Sequence, residues 1–448
     1  MSRTIAALAT APGIAGLAVI RVSGEDAVSI VDKAFKGKNK LVNCDSHTIH
    51  FGSFYHNDIL LDTVTAMIYK SPHSYTGENV VEIGCHGGNY IANQLLSALY
   101  DLGCMIPDPG EFTKRAFLNG KLDLTQVEAV SDIIHSTSTK GAITSARQLQ
   151  GKFTDKLSNL REQLLEAAGL LELELDFSEE DLELIPKNKI LTKLTEVENY
   201  CLDLINTYKG STILKSGFQV AIVGFPNAGK STLFNRFAGK ERAIVSEIEG
   251  TTRDYIEEYF YLDSIPVKLI DTAGIRNTDN TIEIQGIKLV ESVMDQADII
   301  IVLNDSTLAL DNSNELFNEV SSKYKNVIEV HNKVDLVNES IPTNRHDTYH
   351  ISAKDGSGIN QLKNRIVELA HDSTDFVSDA LINQRHKDLL EQTIRHIELA
   401  KDSLNNGMEN EIIAIDVRKA TKYIGELTGE SWNEEVLDKI FSGFCIGK

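Results

Sequence analysis

The sequence predicts a multidomain α/β protein: an α+β domain in front, then a discontinuous helical domain with a doubly wound sheet domain inserted into it. Three observations carry this. Strand-like and helix-like stretches alternate over residues 213–371, the pattern of a largely parallel sheet covered by helices. Helical periodicity occupies both flanks, 119–212 and 372–448, so one helical domain is interrupted. Residues 1–118 mix short strands with helices.

Length and composition agree with this division. The 448 residues leave room for about three domains at roughly 100–200 residues each. With 42% hydrophobic and 24% charged residues the composition is that of a globular chain. Against 44 Lys and Arg stand 65 Asp and Glu, a net charge of −21, which argues against a general nucleic-acid-coating surface and leaves room for a local basic patch. No apolar run is long enough to span a membrane. The start, Met1-Ser2-Arg3 followed by Ile5 to Ile20, faintly imitates a leader, but Pro12-Gly13 breaks the run, so a folded, turn-linked segment is expected. The five cysteines, Cys44, Cys85, Cys104, Cys201 and Cys445, are scattered and form no C-x-x-C pair, which fits a reducing cytoplasm. Cys445-Ile446-Gly447-Lys448 is a poor prenylation box, because Gly447 is not aliphatic and Lys448 is an unusual last residue.

Taken in order, Leu17–Val22, Val64–Tyr69 and Val80–Ile83 read as strands, and Ile91–Tyr100 as a helix. His86, beside Gly87 and Gly88, offers a catalytic or metal-ligating candidate. Without a second His or Cys at ligand spacing, a turn histidine is the expectation. Pro107-Asp108-Pro109-Gly110 punctuates the chain before Glu111. Leu122, Val127, Val130, Ile133 and Ile134 recur at helical spacing, as do Leu157, Leu160, Leu164, Ala168 and Leu171. The acidic cluster between Glu162 and Glu183 reads as a solvated helix face. Pro186 is expected to end one helix and Ile190–Tyr208 to form the next, with helical signals returning at Leu389, Leu390, Ile394, Ile397 and Leu399.

Within the inserted domain, Gly224-Phe225-Pro226-Asn227-Ala228-Gly229-Lys230-Ser231 fits G-x-x-x-x-G-K-[ST]. Val220–Val223 before it reads as a buried strand, and Thr232–Ala238 after it as a helix. That context turns a glycine-rich turn into a phosphate cradle, with backbone N–H groups and a helix N-terminus facing the anion. Lys230 is expected at the β- and γ-phosphates and Ser231 on Mg²⁺. Four further segments follow. Gly250-Thr251-Thr252-Arg253-Asp254 supplies a threonine for Mg²⁺ and the γ-phosphate. Asp271-Thr272-Ala273-Gly274 ends a strand, where Asp271 can support Mg²⁺ and the Gly274 N–H can touch the γ-phosphate. In Asn332-Lys333-Val334-Asp335, Asp335 can accept from guanine N1–H and N2–H₂, a pair adenine cannot satisfy. The backbone of Ser352-Ala353-Lys354 can read guanine O6. Each segment alone is weak, but five in order imply a guanine-nucleotide site. Hydrolysis is the open question, since Ile275 stands where an orienting Gln would serve and no arginine finger is evident in cis.

With these motifs, with Pro109-Gly110-Glu111-Phe112-Thr113 to Lys121-Leu122-Asp123-Leu124, and with the terminal Phe444-Cys445-Ile446-Gly447-Lys448, the chain resembles the MnmE (TrmE) family of tRNA-modification GTPases over essentially its whole length. The resemblance implies a Ras-like nucleotide domain in which Asn227 helps bind K⁺, with backbone oxygens of Ser246, Ile248 and Thr251 in the loop Ser246-Glu247-Ile248-Glu249-Gly250-Thr251. The cation would replace an arginine finger, and nucleotide domains would dimerise around it. Thr252 would join Ser231 on Mg²⁺, and Glu283 would orient the attacking water. On residues alone, Glu283 is a solvated carboxylate.

The same resemblance implies an aminomethyltransferase-like N-terminal domain that binds 5-formyl- or methylene-tetrahydrofolate through Arg21, Glu82, Lys121 and Lys448, and that serves as a constitutive homodimer interface. Cys445 would lie near that site; as a bare residue, a buried structural cysteine is equally open. The implied work, with an FAD-carrying partner MnmG in a heterotetramer-type complex, is to build the (carboxymethyl)aminomethyl group at C5 of the wobble uridine, U34, of certain tRNAs. This chain has no G-x-G-x-x-G of its own, so FAD belongs to the partner. A small departure is Asn304-Asp305 after Ile299–Leu303, where a single Asp is usual. A ribosome-assembly GTPase would share the nucleotide motifs but should carry a basic RNA-binding domain. A folate-dependent transferase with a merely regulatory GTPase domain is the other alternative.

Overall fold

The computed structural model describes residues 3–176, 187–238, 256–263, 265–271, 283–308, 310–337, 347–374 and 380–448. It divides into two compact units, one of Met1–Ser131, Leu149–Lys193 and Leu399–Lys448, the other of Asp132–Gln148 and Leu194–Glu398.

The strands of the first sheet are β1 (Ile5–Leu8), β2 (Ala18–Ser23), β3 (Phe35–Gly37), β4 (Thr48–His56), β5 (Ile59–Tyr69) and β6 (Val80–Cys85). Those of the second are β7 (Phe218–Gly224), β8 (Ile256–Leu262), β9 (Ile265–Asp271), β10 (Ile299–Asp305), β11 (Val327–Asn332) and β12 (Thr348–His350). The helices begin with α1 (Ala27–Ala34), α2 (Asn89–Asp101), α3 (Glu111–Leu118), α4 (Leu124–Ile134), α5 (Thr139–Leu149), α6 (Lys152–Asp176), α7 (Lys187–Asn206) and α8 (Tyr208–Ser216). They continue with α9 (Lys230–Ala238), α10 (Glu283–Gln296), α11 (Leu310–Lys323), α12 (Ile359–Thr374), α13 (Gln384–Asn405), α14 (Asn410–Thr428) and α15 (Glu434–Phe441).

The first unit is built on an antiparallel sheet of order β1-β2-β6-β5-β4-β3. Period-two alternation sorts its faces. Ile20 and Val22 of β2, Val81, Ile83 and Cys85 of β6, and Val64, Ala66 and Ile68 of β5 enter a core with α1 and α2. Arg21 and Glu82 alternate with these residues and stand directly opposite each other. Beyond the sheet, Phe117, Leu124, Val127 and Val130 close over Leu437, Phe441 and Phe444, so α15 packs on α3 and α4. The helices α6 and α14 lie along each other, with ion pairs from Arg418 to Glu172 and from Arg161 to Glu430. These exposed pairs orient the helices and contribute at most about 1 kcal/mol each. The buried leucines of α6, Leu157, Leu160, Leu164 and Leu171, contribute far more.

The second unit carries the sheet β12-β11-β10-β7-β9-β8, parallel except that β8 runs against β9. Its strands read as near-continuous apolar runs because both faces are covered. Val220, Ile222, Ile301 and Val330 pack with Leu233 and Phe237 of α9 and Leu362 and Ile366 of α12. On the opposite face Val223, Ile300 and Val302 meet Val290 and Met294 of α10 and Val320 of α11. The expected doubly wound architecture is therefore present, and the carboxyl ends of its parallel strands share one edge. Pro186 lies outside the described residues. Among those residues no helix is long and apolar enough to cross a membrane.

Candidate functional site

At the carboxyl edge of the second sheet, β7 runs into residues 224–229 and then directly into α9. This turn needs unusual backbone: Asn227 lies at φ 63° and Gly229 at φ 95°. A Cβ on Gly229 would come within 2.3 Å of Asn332 Nδ2, so only glycine fits. Lys230 opens α9, and its ammonium donates to the carbonyls of Gly224 at 2.9 Å and Phe225 at 3.0 Å. A phosphate arriving at the α9 N-terminus finds that ammonium already folded over the loop.

Three loops are stitched together through one buried side chain. Asn332, 2% exposed at the end of β11, donates from Nδ2 to Ala228 O at 2.8 Å. Its Oδ1 accepts the Ala353 N–H at 2.9 Å. Arg236 of α9 donates from Nε to Ala353 O at 3.0 Å, and from Nη2 to Lys354 O. Phosphate loop, Asn332–Asp335 and Ser352–Lys354 thus form one frame, a connection that motif spacing alone did not reveal. Buried Ser352 caps its own turn, its Oγ accepting from the Asp355 N–H. Lys333 sits in left-handed backbone at φ 66° and pairs with Asp305 at 2.5 Å. Burial alone would raise the Asp305 pKa, but hydrogen bonds from Lys333 and Thr307 outweigh it and hold the carboxylate below its ordinary range.

A cleft of about 820 Å³ is lined by Asn227, Gly229, Lys230, Ser231, Thr232 and Lys333, and extends over α10 and α11 to Tyr324. Ala228 is buried beneath it. Asp335, in the turn after β11, and Ser352, Ala353 and Lys354, after β12, stand beside the cleft rather than in its wall. Asp271 ends β9 and Glu283 begins α10, with no side-chain geometry described for either. Ser246, Glu247, Ile248, Glu249, Gly250, Thr251, Thr252, Thr272, Ala273 and Gly274 lie outside the described residues.

A second group lies on the first sheet. Arg21 meets Glu82 Oε1 through Nε at 2.9 Å and Nη2 at 2.8 Å, and its guanidinium lies 5.0 Å from the Tyr75 ring centroid and 5.8 Å from that of Phe112. Among the described residues its buried Nη1 has no hydrogen-bond partner. Lys448 joins this pair: burial pushes its pKa down, Arg21 pushes the same way, and Glu82 opposes. The tail reaches it because Gly447, at φ 110°, presses on β1, where a Cβ would lie 2.2 Å from Leu8 O. Lys121 donates to Pro72 O at 3.1 Å, in the segment that leads to Tyr75. Cys445 is exposed, which removes the alternative of a buried structural cysteine. His86 pairs with Asp62 at 2.7 Å, and the same carboxylate accepts the His86 backbone N–H at 2.8 Å, which accounts for a turn histidine.

Two family models together match nearly the whole chain. Residues 124–445 match the model of the MnmE helical domain, and residues 4–121 that of the GTP-binding protein TrmE N-terminus. Proteins named tRNA modification GTPase MnmE are similar end to end. The one from Salinibacter ruber is 41% identical over 460 residues, spanning 100% of this chain and 99% of its own. That from Flavobacterium johnsoniae is 41% identical with 99% of each chain covered, and that from Acetivibrio thermocellus 37% with 99% of each.

Proposed function

Because this chain belongs to the MnmE family of tRNA modification GTPases, we propose that its GTP hydrolysis serves to build the (carboxymethyl)aminomethyl group at C5 of the wobble uridine of certain tRNAs, together with the FAD-carrying partner MnmG in the cytoplasm. The observation that carries this reading is the coexistence in one chain of the Asn332-braced nucleotide frame and the separate Arg21–Glu82–Lys448 group. A ribosome-assembly GTPase has no use for the second.

In the nucleotide unit, backbone N–H groups of residues 227–232 receive the phosphates at the α9 N-terminus, and Lys230 exchanges loop carbonyls for phosphate oxygens. Asp335 selects guanine by accepting two donors. Ser231, with Thr252, would hold Mg²⁺, and Asn227 at the lip of the cleft would hold K⁺ together with Ser246, Ile248 and Thr251. These oxygen donors suit hard cations, which when bound would offset charge on the transferring phosphoryl group. Glu283 orients water; a Glu283→Ala protein is expected to bind GTP normally and turn it over very slowly, and near-normal turnover would remove Glu283 from the mechanism.

The first unit fits a tetrahydrofolate. A buried guanidinium nitrogen without a partner, aromatic rings beside it and a lysine held near it suit a flat heterocycle with a carboxylate tail. The folate would supply the one-carbon unit, and this chain's residues bind and orient it. Arg21→Met should abolish tetrahydrofolate binding while leaving GTP binding intact; unchanged folate affinity would move the site elsewhere. Homodimerisation through this unit has support in the exposed apolar residues of the β4–β5 hairpin, Ile49 (69% exposed) and Phe51 (72%) along β4 and Ile59 and Leu60 near its turn.

The deciding experiment is mass spectrometry of wobble-uridine nucleosides in cells lacking the chain and after its restoration. Loss and return of the C5-aminomethyl modifications supports the reading. Persistence of those modifications overturns it.

A further inference from the structure

The described residues around the nucleotide frame include a carboxylate that no step above uses. Asp305, the last residue of β10, stands in register opposite Asn332 of β11. The next residue binds the same neighbour, Ser306 N donating to Asn332 O at 2.9 Å. The two oxygens of Asp305 are divided. Oδ1 accepts from the Thr307 N–H at 2.9 Å and the Thr307 hydroxyl at 2.7 Å, while Oδ2 receives the Lys333 ammonium at 2.5 Å. The Asp305 side chain is 8% exposed and that of Lys333 30%, so the pair is largely sheltered from solvent. Lys333 starts from left-handed backbone, which fixes the direction in which its stem leaves the chain, and it lines the cleft with Asn227, Gly229 and Lys230.

We propose that Asp305 is a positioning residue for the nucleotide base. It anchors the far end of Lys333, so that the lysine stem is held extended as part of the cleft wall, and it does so without touching nucleotide itself. A flexible lysine would lose rotamer freedom each time a nucleotide bound. One tied at both ends, by backbone and by carboxylate, has lost that freedom beforehand. The proposal rests on reading Asn332–Asp335 as the base-recognition segment.

Asp305→Asn separates charge from turn geometry, because Asn keeps an oxygen for Thr307 and lacks the negative charge for Lys333. With GDP as the probe in calorimetry on the full chain, its dissociation constant should rise about five- to tenfold, the scale of a sheltered ion pair. In steady-state hydrolysis the KM for GTP should rise more than kcat falls. Thr307→Ala, which weakens only the turn, should leave GDP affinity within about twofold, well short of a tenfold or 1.4 kcal/mol change. Asp335→Asn is the control on the base site and should shift preference from guanine to xanthine nucleotides. If Asp305→Asn is folded and binds GDP as tightly as wild type, or if Thr307→Ala reproduces its loss, the proposal is overturned. If Asp335→Asn leaves base preference unchanged, the base-site reading falls and the proposal with it.

Discussion

Replacing Asn332 by Ala tests whether the nucleotide frame is held by one side chain. The substitution deletes the donor to Ala228 O and the acceptor of the Ala353 N–H, bonds of 2.8 and 2.9 Å at a residue 2% exposed. A buried polar group left without a partner costs about 1–3 kcal/mol, so the two together set a ceiling of about 6 kcal/mol. Water reaching the loops from the adjoining cleft would restore part of this, and about 2–3 kcal/mol is the expectation. If the loops relax when empty and must be drawn together by nucleotide, that energy comes out of binding, a loss of about 30- to 150-fold in GTP affinity. Asn332→Asp keeps the acceptor for Ala353 and loses only the donor, while setting a carboxylate against the Ala228 carbonyl. It should lose affinity with the Ala353 amide still protected. Calorimetry with GTP and hydrogen exchange over residues 351–354 read the two halves separately. An Asn332→Ala protein with GTP affinity within about twofold of wild type and unchanged exchange would refute the argument, since a tenfold change marks only 1.4 kcal/mol.

Two further outcomes are expected. Hydrolysis should run much faster in K⁺ than in Na⁺, with Asn227→Ala flattening the difference; equal rates in both salts would remove the cation from the mechanism. Burial raises the thiol pKa of Cys85 to about 11 and of Cys104 and Cys201 to about 12, from 9.0, with the Asp62 and Glu198 carboxylates adding to the first and last. The folded chain therefore holds protons that the unfolded chain releases, and the stability these thiols contribute is full below pH 9.0 and is lost progressively as pH rises toward 11 and 12. Alkylation at pH 8 should label exposed Cys445 first and leave these three unlabelled while the fold persists; prompt labelling of Cys201 would contradict its burial.

The parts of the molecule legible in the sequence are those encoded by neighbours. β7, the phosphate turn and α9 follow from an apolar run, the spaced glycines of the turn and a helical stretch. The strands β2, β5 and β6 follow from alternation, although β5 begins at Ile59 rather than Val64. The strand β4 escaped, because its apolar residues Ile49 and Phe51 point outward while Gly52 and two histidines dilute its pattern. The short strands β1 and β3, of four and three residues, carry too little period to read. Contacts across long separations were illegible for a different reason. Nothing local to Asn332 says that it ties residue 228 to residue 353, and nothing near Arg21 points to Lys448. Those pairings come from the order of strands and from the path of the tail over Leu8.

That path sets a timetable for synthesis. Arg21 and Glu82 leave the ribosome early, and their sheet closes on local hairpins and the two helices that cover it. Phe444, Gly447 and Lys448 emerge after the whole nucleotide unit has been made. Until then Arg21 has Glu82 but lacks its lysine neighbour, and Gly447 does not yet lie against Leu8. A nascent chain therefore displays a finished P-loop before Lys448 can join Arg21 and Glu82.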